Sequence, residues 1–146
     1  MKNSFRSDCP ISCTLDLIGD KWTLLIIRDM MLSDKKTFKD FANSDEKIAT
    51  NTLASRLALL EEKGIITKNK LPNNKKFNIY RLTERGIDLV PIIIELSQWS
   101  NKHRIGLKIP LKPEIVAMAT QIDERKATII ENIQSQLREK VKAEIV

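Results

Sequence analysis

The chain has 146 residues, of which 42% are hydrophobic and 30% are charged, and its formal net charge is +6. This length allows one compact domain with an appended helix and excludes two full hydrophobic cores. The composition excludes a disordered chain, and no apolar run reaches the roughly 18 to 20 residues that span a bilayer. The chain also begins without an apolar secretion signal, so we expect a cytoplasmic protein with no membrane partner.

The first third of the sequence predicts three helices. Pro10 suits the first turn of a short helix that Gly19 ends, and Asp20 is placed to cap a second helix that runs to Leu32. Because this second helix is apolar on nearly every side, we expect it in the middle of the core. Thr37 then caps a short third helix.

The fourth predicted helix, residues 50–63, has the clearest pattern in the chain. Leu53, Leu57 and Leu60 recur at the spacing of one helix face, and Gly64 ends the helix. Short hydrogen-bonding groups and one arginine lie at its start and on its other side. Such groups suit the reading of base edges in the major groove of DNA. These candidate residues are Thr50, Asn51, Thr52, Ser55 and Arg56.

Two extended runs follow, residues 65–71 and 77–82, joined by the turn-forming segment 72–76. Between residues 64 and 85, six basic residues stand against Glu84 alone, so this stretch carries a net charge of +5. Two interpretations are open: a surface for a polyanion such as DNA, or a solvated hairpin whose lysines protect its strand edges. The candidate phosphate contacts are Lys68, Lys70, Asn73, Asn74, Lys75 and Lys76.

The helix predicted after Thr83 has an apolar surface wider than its own domain requires, which favours a subunit partner. Pro91 is expected to kink this helix or to loosen its first turns. The order of elements is therefore four helices, a hairpin and a further helix. This order predicts a mainly α fold with a small β-hairpin (α+β), a winged helix-turn-helix with long N- and C-terminal dimerisation helices.

Gly106, Pro110 and Pro113 mark a connector, and beyond it an apolar stripe at helical spacing continues towards the C-terminus. A helix this long cannot bury its stripe alone on a small domain. Dimerisation is the favoured remedy, and folding back on its own domain or fraying is the alternative. We therefore divide the chain into a DNA-binding domain, residues 1–105, and a helical extension for dimerisation, residues 106–146.

The chain contains two cysteines, Cys9 and Cys13, and one histidine, His103. These are too few and too dispersed for a zinc site, and we expect no metal and no other cofactor. Core packing is the favoured interpretation of Cys13. We expect no enzyme, because the sequence has no histidine near either cysteine, no glycine-rich phosphate loop and no readable pair of catalytic carboxylates.

An ordered set of motifs extends over roughly residues 9 to 100. They are Cys9-Pro10, the run Asp16-Leu17-Ile18-Gly19 followed by Lys21-Trp22, the pair Phe38 and Phe41, the helix residues Leu53, Arg56, Leu57, Leu60, Glu61 and Gly64, and then Tyr80, Leu82, Thr83, Gly86, Pro91 and Trp99. As a set they resemble the HxlR family of bacterial winged-helix regulators, a relative of the MarR group. The resemblance implies a homodimeric transcription factor whose two recognition helices enter successive major grooves of double-stranded DNA at a pseudo-palindromic operator. The chain departs from the family at Ala49-Thr50, where a serine commonly opens the recognition helix, so Thr50 must serve as the cap or the helix begins less tightly.

Cys9 has two interpretations. In several relatives of the HxlR family the equivalent cysteine senses oxidants, quinones or aldehydes, and a helix N-terminus favours the reactive thiolate. Packing as a small hydrophobe in the dimer interface is the favoured alternative.

The leading functional hypothesis is a sequence-specific, DNA-binding transcriptional regulator with an oxidant or small molecule as candidate effector. The alternative is a winged-helix protein-interaction module without DNA binding. An acidic or apolar recognition face would favour that alternative, and Thr52, Ser55 and Arg56 beside a basic wing argue against it.

Overall fold

The computed structural model describes residues 5–103 and 113–145, with side chains described within 5–103 and 127–144. The fold is mainly helical with one antiparallel β-hairpin, as predicted. No helix in the described ranges is both long and apolar enough to cross a lipid bilayer. The elements in chain order are α1 (Pro10–Ile18), α2 (Thr23–Leu32), α3 (Phe38–Ala42), α4 (Thr50–Glu62), β1 (Ile66–Leu71), β2 (Asn74–Leu82), α5 (Glu84–Ile87), α6 (Val90–His103) and α7 (Pro113–Ile145).

The core is built from Ile18 at the end of α1 and from every element from α2 to α6. Ile27 of α2, Leu53 of α4 and Val90 of α6 are each completely buried, which confirms the central position predicted for the second helix. Phe41 of α3 meets Tyr80 of β2 edge to face, with ring centroids 6.1 Å apart. The helix-turn-helix and the hairpin therefore share one core.

The start of α2 differs from the predicted N-cap at Asp20. Trp22 occupies the N-cap position, two residues further along the chain. The carboxylate of Asp20 nevertheless accepts hydrogen bonds from the amides of Trp22 and Thr23, at 2.9 and 3.0 Å. Asp20 thus satisfies donors at the start of α2 from a position outside the helix.

Pro91 lies in the first turn of α6, where a missing amide removes no intrahelical hydrogen bond. The single helix predicted after Thr83 is therefore two helices, because α5 ends at Ile87 before α6 begins. Thr83 caps α5 as predicted, and its hydroxyl accepts a hydrogen bond from the Gly86 amide at 3.2 Å. A Cβ atom at Gly86 would lie 2.3 Å from the carbonyl oxygen of Ile65, so only glycine fits between α5 and the base of the hairpin.

The second half of α7 packs against the core of its own chain through Ile129, Ile130, Ile133 and Leu137. Residues 127–144 therefore fold back on their own domain, which was the predicted alternative to dimerisation for this stripe. The predicted connector residues Gly106 and Pro110 lie outside the described residues. The division of the chain at residue 105 stays a prediction.

Ion pairs accompany this apolar contact. Glu144 pairs with Arg81 of β2, which extends the contact to the hairpin. Arg138 lies 2.8 Å from Glu84 of α5, and Lys140 lies 3.4 Å from Asp34 in the connection between α2 and α3. The described part of α7 therefore spans several elements of the winged helix.

Candidate nucleic-acid interface

The helix-turn-helix consists of α3, α4 and the turn between them. A capping box opens α3: the hydroxyl of Thr37 accepts from the Asp40 amide at 3.1 Å, and the Asp40 carboxylate accepts from the Thr37 amide at 3.0 Å. Burial raises the pKa of the Asp40 carboxyl. The hydrogen bonds with Thr37 and one from the Lys36 amide lower this pKa by more than burial raises it, so it lies below its ordinary value. Lys47, in the turn, has a φ of 53°, a left-handed conformation that redirects the chain towards α4.

A buried charge network joins α2 to this turn. Asp29 of α2 is 2% exposed and accepts a hydrogen bond from the hydroxyl of Ser44 in the turn. It also pairs with Arg28 at 2.8 Å and with Lys35 at 3.4 Å. Arg28 reaches onward to Glu46 at 2.6 Å. This hydrogen bond is the main cause that lowers the pKa of Glu46 and raises that of Arg28.

This network was not predicted from the sequence. Its signal was the Arg28-Asp29 pair inside the otherwise apolar second helix. A charged pair on a core helix requires partners, because an unpaired buried charge is too costly to retain. The partners could not be named from the sequence, since Ser44 lies 15 residues from Asp29.

The two faces of α4 separate as predicted. Leu53, Leu57 and Leu60 are no more than 2% exposed. The candidate base-reading residues lie outside this buried stripe, in the first two turns of the helix. Thr50, Asn51 and Ser55 are exposed, and Thr52 and Arg56 are half-buried.

The first turn of α4 follows the second of the two predicted alternatives, in which Thr50 is not the cap and the helix begins less tightly. Ala49 occupies the N-cap position and Thr50 is the first helical residue. Ala49 has no side-chain acceptor for the amides of this turn. The carboxamide oxygen of Asn51 accepts one of them, from Thr52 at 2.9 Å. The helix thus begins without the strong cap typical of serine, threonine or asparagine, and its N-terminus suits an external acceptor such as phosphate.

Arg56 is held by an acidic residue from another part of the chain. Its Nε lies 3.2 Å from Oδ1 of Asp20, close enough for an ion pair. The two groups are not aligned as a hydrogen bond, and among the described residues this buried Nε has no hydrogen-bond partner. The Arg56 side chain as a whole remains 32% exposed.

The hairpin closes more tightly than predicted. Leu71 pairs with Asn74, so Pro72 and Asn73 alone form the turn. Since Lys70 pairs with Asn78, residues 75–77 form a bulge in β2. The candidates Asn74, Lys75 and Lys76 therefore lie in the strand rather than in the predicted connecting segment 72–76, because the bulge accommodates the extra residues that the two-residue turn leaves over.

The four lysines of this hairpin are directed to solvent. Asn73 and Asn74 are exposed at the tip. The exposed lysines are Lys68, Lys70, Lys75 and Lys76. Across the portion of the chain that the structure describes, none of these four lysines has an ion-pair partner. Their charges are therefore available to an external anion.

The two cysteines lie on α1 in different surroundings. Cys9 is the N-cap residue and is exposed. Cys13 was expected in the core, and the structure places it outside the core. It is only partly buried, and its thiol donates to the carbonyl oxygen of Ser7 at 3.2 Å. The reason is that α1 buries Ile18 alone. Within residues whose side chains are described, no cluster of three or more histidine, cysteine or acidic side chains could hold a metal ion.

Comparison with known proteins agrees with this geometry. The model of the HxlR-like helix-turn-helix family matches residues 17–106. The chain belongs to the HxlR-like helix-turn-helix family. A relative in this group, the uncharacterised HTH-type transcriptional regulator YdeP of Bacillus subtilis, is 32% identical over 96 residues, which cover 66% of this chain and 74% of YdeP.

Solved structures share the fold. PA1607, a candidate transcription factor, is 31% identical with a TM-score of 0.65, over 73% of each chain. The redox regulator HypR in its oxidised form is 32% identical with a TM-score of 0.57, over 64% of this chain and 96% of HypR. These matches confirm the winged helix-turn-helix and place the HxlR-like chain among DNA-binding transcriptional regulators.

Proposed function

We propose that the chain regulates transcription by binding double-stranded DNA as a homodimer at a pseudo-palindromic operator. The observation that carries this proposal is the exposed polar end of α4 beside a hairpin with four unpaired lysines. In a helix-turn-helix the start of the recognition helix faces base edges, and two-fold related copies read half-sites about 34 to 36 Å apart. An acidic or apolar recognition surface would favour a protein-interaction module, and this surface is neither acidic nor apolar.

The two parts of this surface have different tasks. Thr50, Asn51, Thr52 and Ser55 offer hydrogen bonds to base edges, and Arg56 suits a guanine. Lys68, Lys70, Lys75 and Lys76, with Asn73 and Asn74, contact phosphates and release counterions, which increases affinity for every sequence alike.

The dimer is proposed to form through α1 and α6. The second half of α7 is occupied by the core of its own chain, whereas α1 and α6 present large apolar side chains to solvent. Exposed apolar surface of this kind marks an interaction site. The residues are Ile11 and Leu15 on α1, 71% and 53% exposed, and Leu96 and Trp99 on α6, 52% and 59% exposed.

The division of tasks is tested with Arg56→Ala and Lys75→Ala on an operator selected from randomised duplexes. We expect Arg56→Ala to weaken operator binding by about 1 to 3 kcal/mol and to spare random DNA, and Lys75→Ala to weaken both equally. Fluorescence anisotropy measures the affinities, and Lys142→Ala, an exposed lysine on α7, is the matched control. Equal losses on both DNAs for Arg56→Ala would refute its base-reading role.

Cys9 is proposed as the sensor of this regulator. Its thiol is exposed at the start of α1, and HypR, which shares the fold, is a redox regulator. Two Cys9 thiols from the two subunits would lose two electrons and two protons to an oxidant such as diamide, which is reduced to its hydrazine, and would form an intersubunit disulfide. We expect diamide to give a covalent dimer with altered operator affinity in the wild type and in Cys13→Ser. Persistence of both effects in Cys9→Ser would refute the assignment.

A further inference from the structure

Asp20 is fixed to the core between α1 and α2. Its Oδ1 accepts from the amides of Trp22 and Thr23, and its Oδ2 accepts from the Thr23 hydroxyl. Thr23 is completely buried, so the carboxylate has little freedom to turn. The two amides occupy both lone pairs of Oδ1, and the negative charge of the carboxylate remains available to a nearby cation.

Arg56 of the recognition helix supplies such a charge, because its Nε lies 3.2 Å from Oδ1 in an ion pair that is not aligned as a hydrogen bond. The Nε atom is closed to solvent although the side chain is 32% exposed, so the exposure belongs to other atoms of the side chain. A guanidinium is planar and its five N–H groups point in fixed directions. The ion pair with Asp20 and the burial of Nε confine this end of the guanidinium, which limits the directions in which the remaining donors can point.

The charge of Asp20 would otherwise be unfavourable at this place. A carboxylate beside a DNA-contacting arginine repels phosphate and lowers the local positive potential. Electrostatic attraction to DNA alone would favour a neutral residue. The carboxylate satisfies donors at the start of α2, and it helps DNA reading only if it improves the orientation of the arginine.

We infer that Asp20 is a positioning residue that orients the Arg56 guanidinium to donate two hydrogen bonds to a guanine in the major groove. The inference rests on the proposed function and adds to it the residue that orients Arg56 towards the guanine. Guanine presents the O6 and N7 acceptors that match the arginine fork. Asp20 itself touches no base.

The opposing effects of orientation and charge give a distinctive test. Asp20→Asn keeps an oxygen for the amides of Trp22 and Thr23 and removes the negative charge. We expect it to weaken operator binding about tenfold through the loss of one oriented base contact. It should leave random duplex DNA bound as tightly as before or more tightly, and discrimination at one G·C pair of each half-site should disappear. Asp16→Asn, the same charge change at an ion pair on α1, should alter both affinities by less than about twofold.

A double-mutant cycle assigns the effect to Arg56. In an Arg56→Ala background, Asp20→Asn should change operator affinity by less than about twofold. A full tenfold loss in that background would overturn the inference, as would an equal loss on random DNA. Urea unfolding of each variant shows that the folded fraction is matched.

If Asp20→Asn does not fold, the variant Arg56→Lys tests the inference instead. It keeps the positive charge without the planar fork, so discrimination at the same G·C pair should be lost while random DNA is bound as before. Retained discrimination would overturn the inference. A wild-type chain that does not distinguish operator from random DNA would refute the proposed function together with the inference, whereas specific wild-type binding with an additive cycle would refute the inference alone.

Discussion

Asp29→Asn tests whether the buried network positions the turn of the helix-turn-helix. The carboxylate is 2% exposed and lies within ion-pair distance of Arg28 and Lys35, at 2.8 and 3.4 Å. Removing one partner from a fully buried ion pair costs about 3 to 5 kcal/mol, because a buried charge is left uncompensated. Arg28 and Lys35 are 24% and 21% exposed, Arg28 keeps Glu46, and the new amide oxygen can still accept from Ser44. We therefore expect a loss at the lower limit of this range, about 3 kcal/mol.

Urea unfolding followed by circular dichroism measures this loss. For a domain of this size the free energy of unfolding falls by about 1 to 3 kcal/mol per M urea, so the midpoint should fall by about 1 to 3 M at an unchanged slope. The matched control is Asp16→Asn, which removes an aspartate from an exposed ion pair with Arg6 and should leave the midpoint unchanged. Equal midpoints for the two variants would refute the argument that the Asp29 network holds the turn.

Three further changes test other parts of the structure. Gly86→Ala places a Cβ 2.3 Å from the Ile65 carbonyl oxygen and should destabilise the chain by about 1 to 3 kcal/mol in urea unfolding; a neutral effect would contradict the close packing of α5 on the hairpin. Leu137→Ala should cost about 2 kcal/mol by the same measurement, whereas Lys142→Ala should be neutral, and equal midpoints would contradict the docking of α7. Because Arg28 lowers the pKa of Glu46 in the folded chain, stability from this pair is present above the ordinary value of 4.5 and is lost as the pH falls through the lower folded value. Acid titration of Glu46→Gln should therefore show a shallower loss of stability below pH 4.5 than the wild type, and parallel curves would contradict the pairing.

Patterns within short segments predicted much of the fold. The leucine stripe of α4, the cap at Thr83 and the strands on either side of Pro72 depend on neighbours within a few residues, and the structure has them nearly where predicted. The hairpin tip was less accurate, because its register depends on pairing across the strands. A bulge at residues 75–77 leaves the composition of the hairpin unchanged and has no clear signature in one strand alone.

Contacts between distant segments could not be predicted. Asp29 meets Ser44, and Asp20 meets Arg56, only after the helices have packed. Whether α7 packs on its own core or on a partner could not be predicted for the same reason. An apolar stripe indicates that the helix face is covered, but it does not indicate which surface covers it. For the candidate interface, residue types and spacing predicted α4 and the hairpin. The ion pair between Arg56 and Asp20 could be found only from the structure.

Selection from randomised duplexes tests most directly whether this surface reads DNA as a dimer. We expect enrichment of an inverted repeat whose half-site centres lie about 10 base pairs apart, which is one helical turn, or a multiple of that spacing. We also expect a guanine in each half-site that Arg56→Ala no longer selects. Recovery of no shared motif, or of a motif without two-fold symmetry, would contradict DNA reading by a dimer.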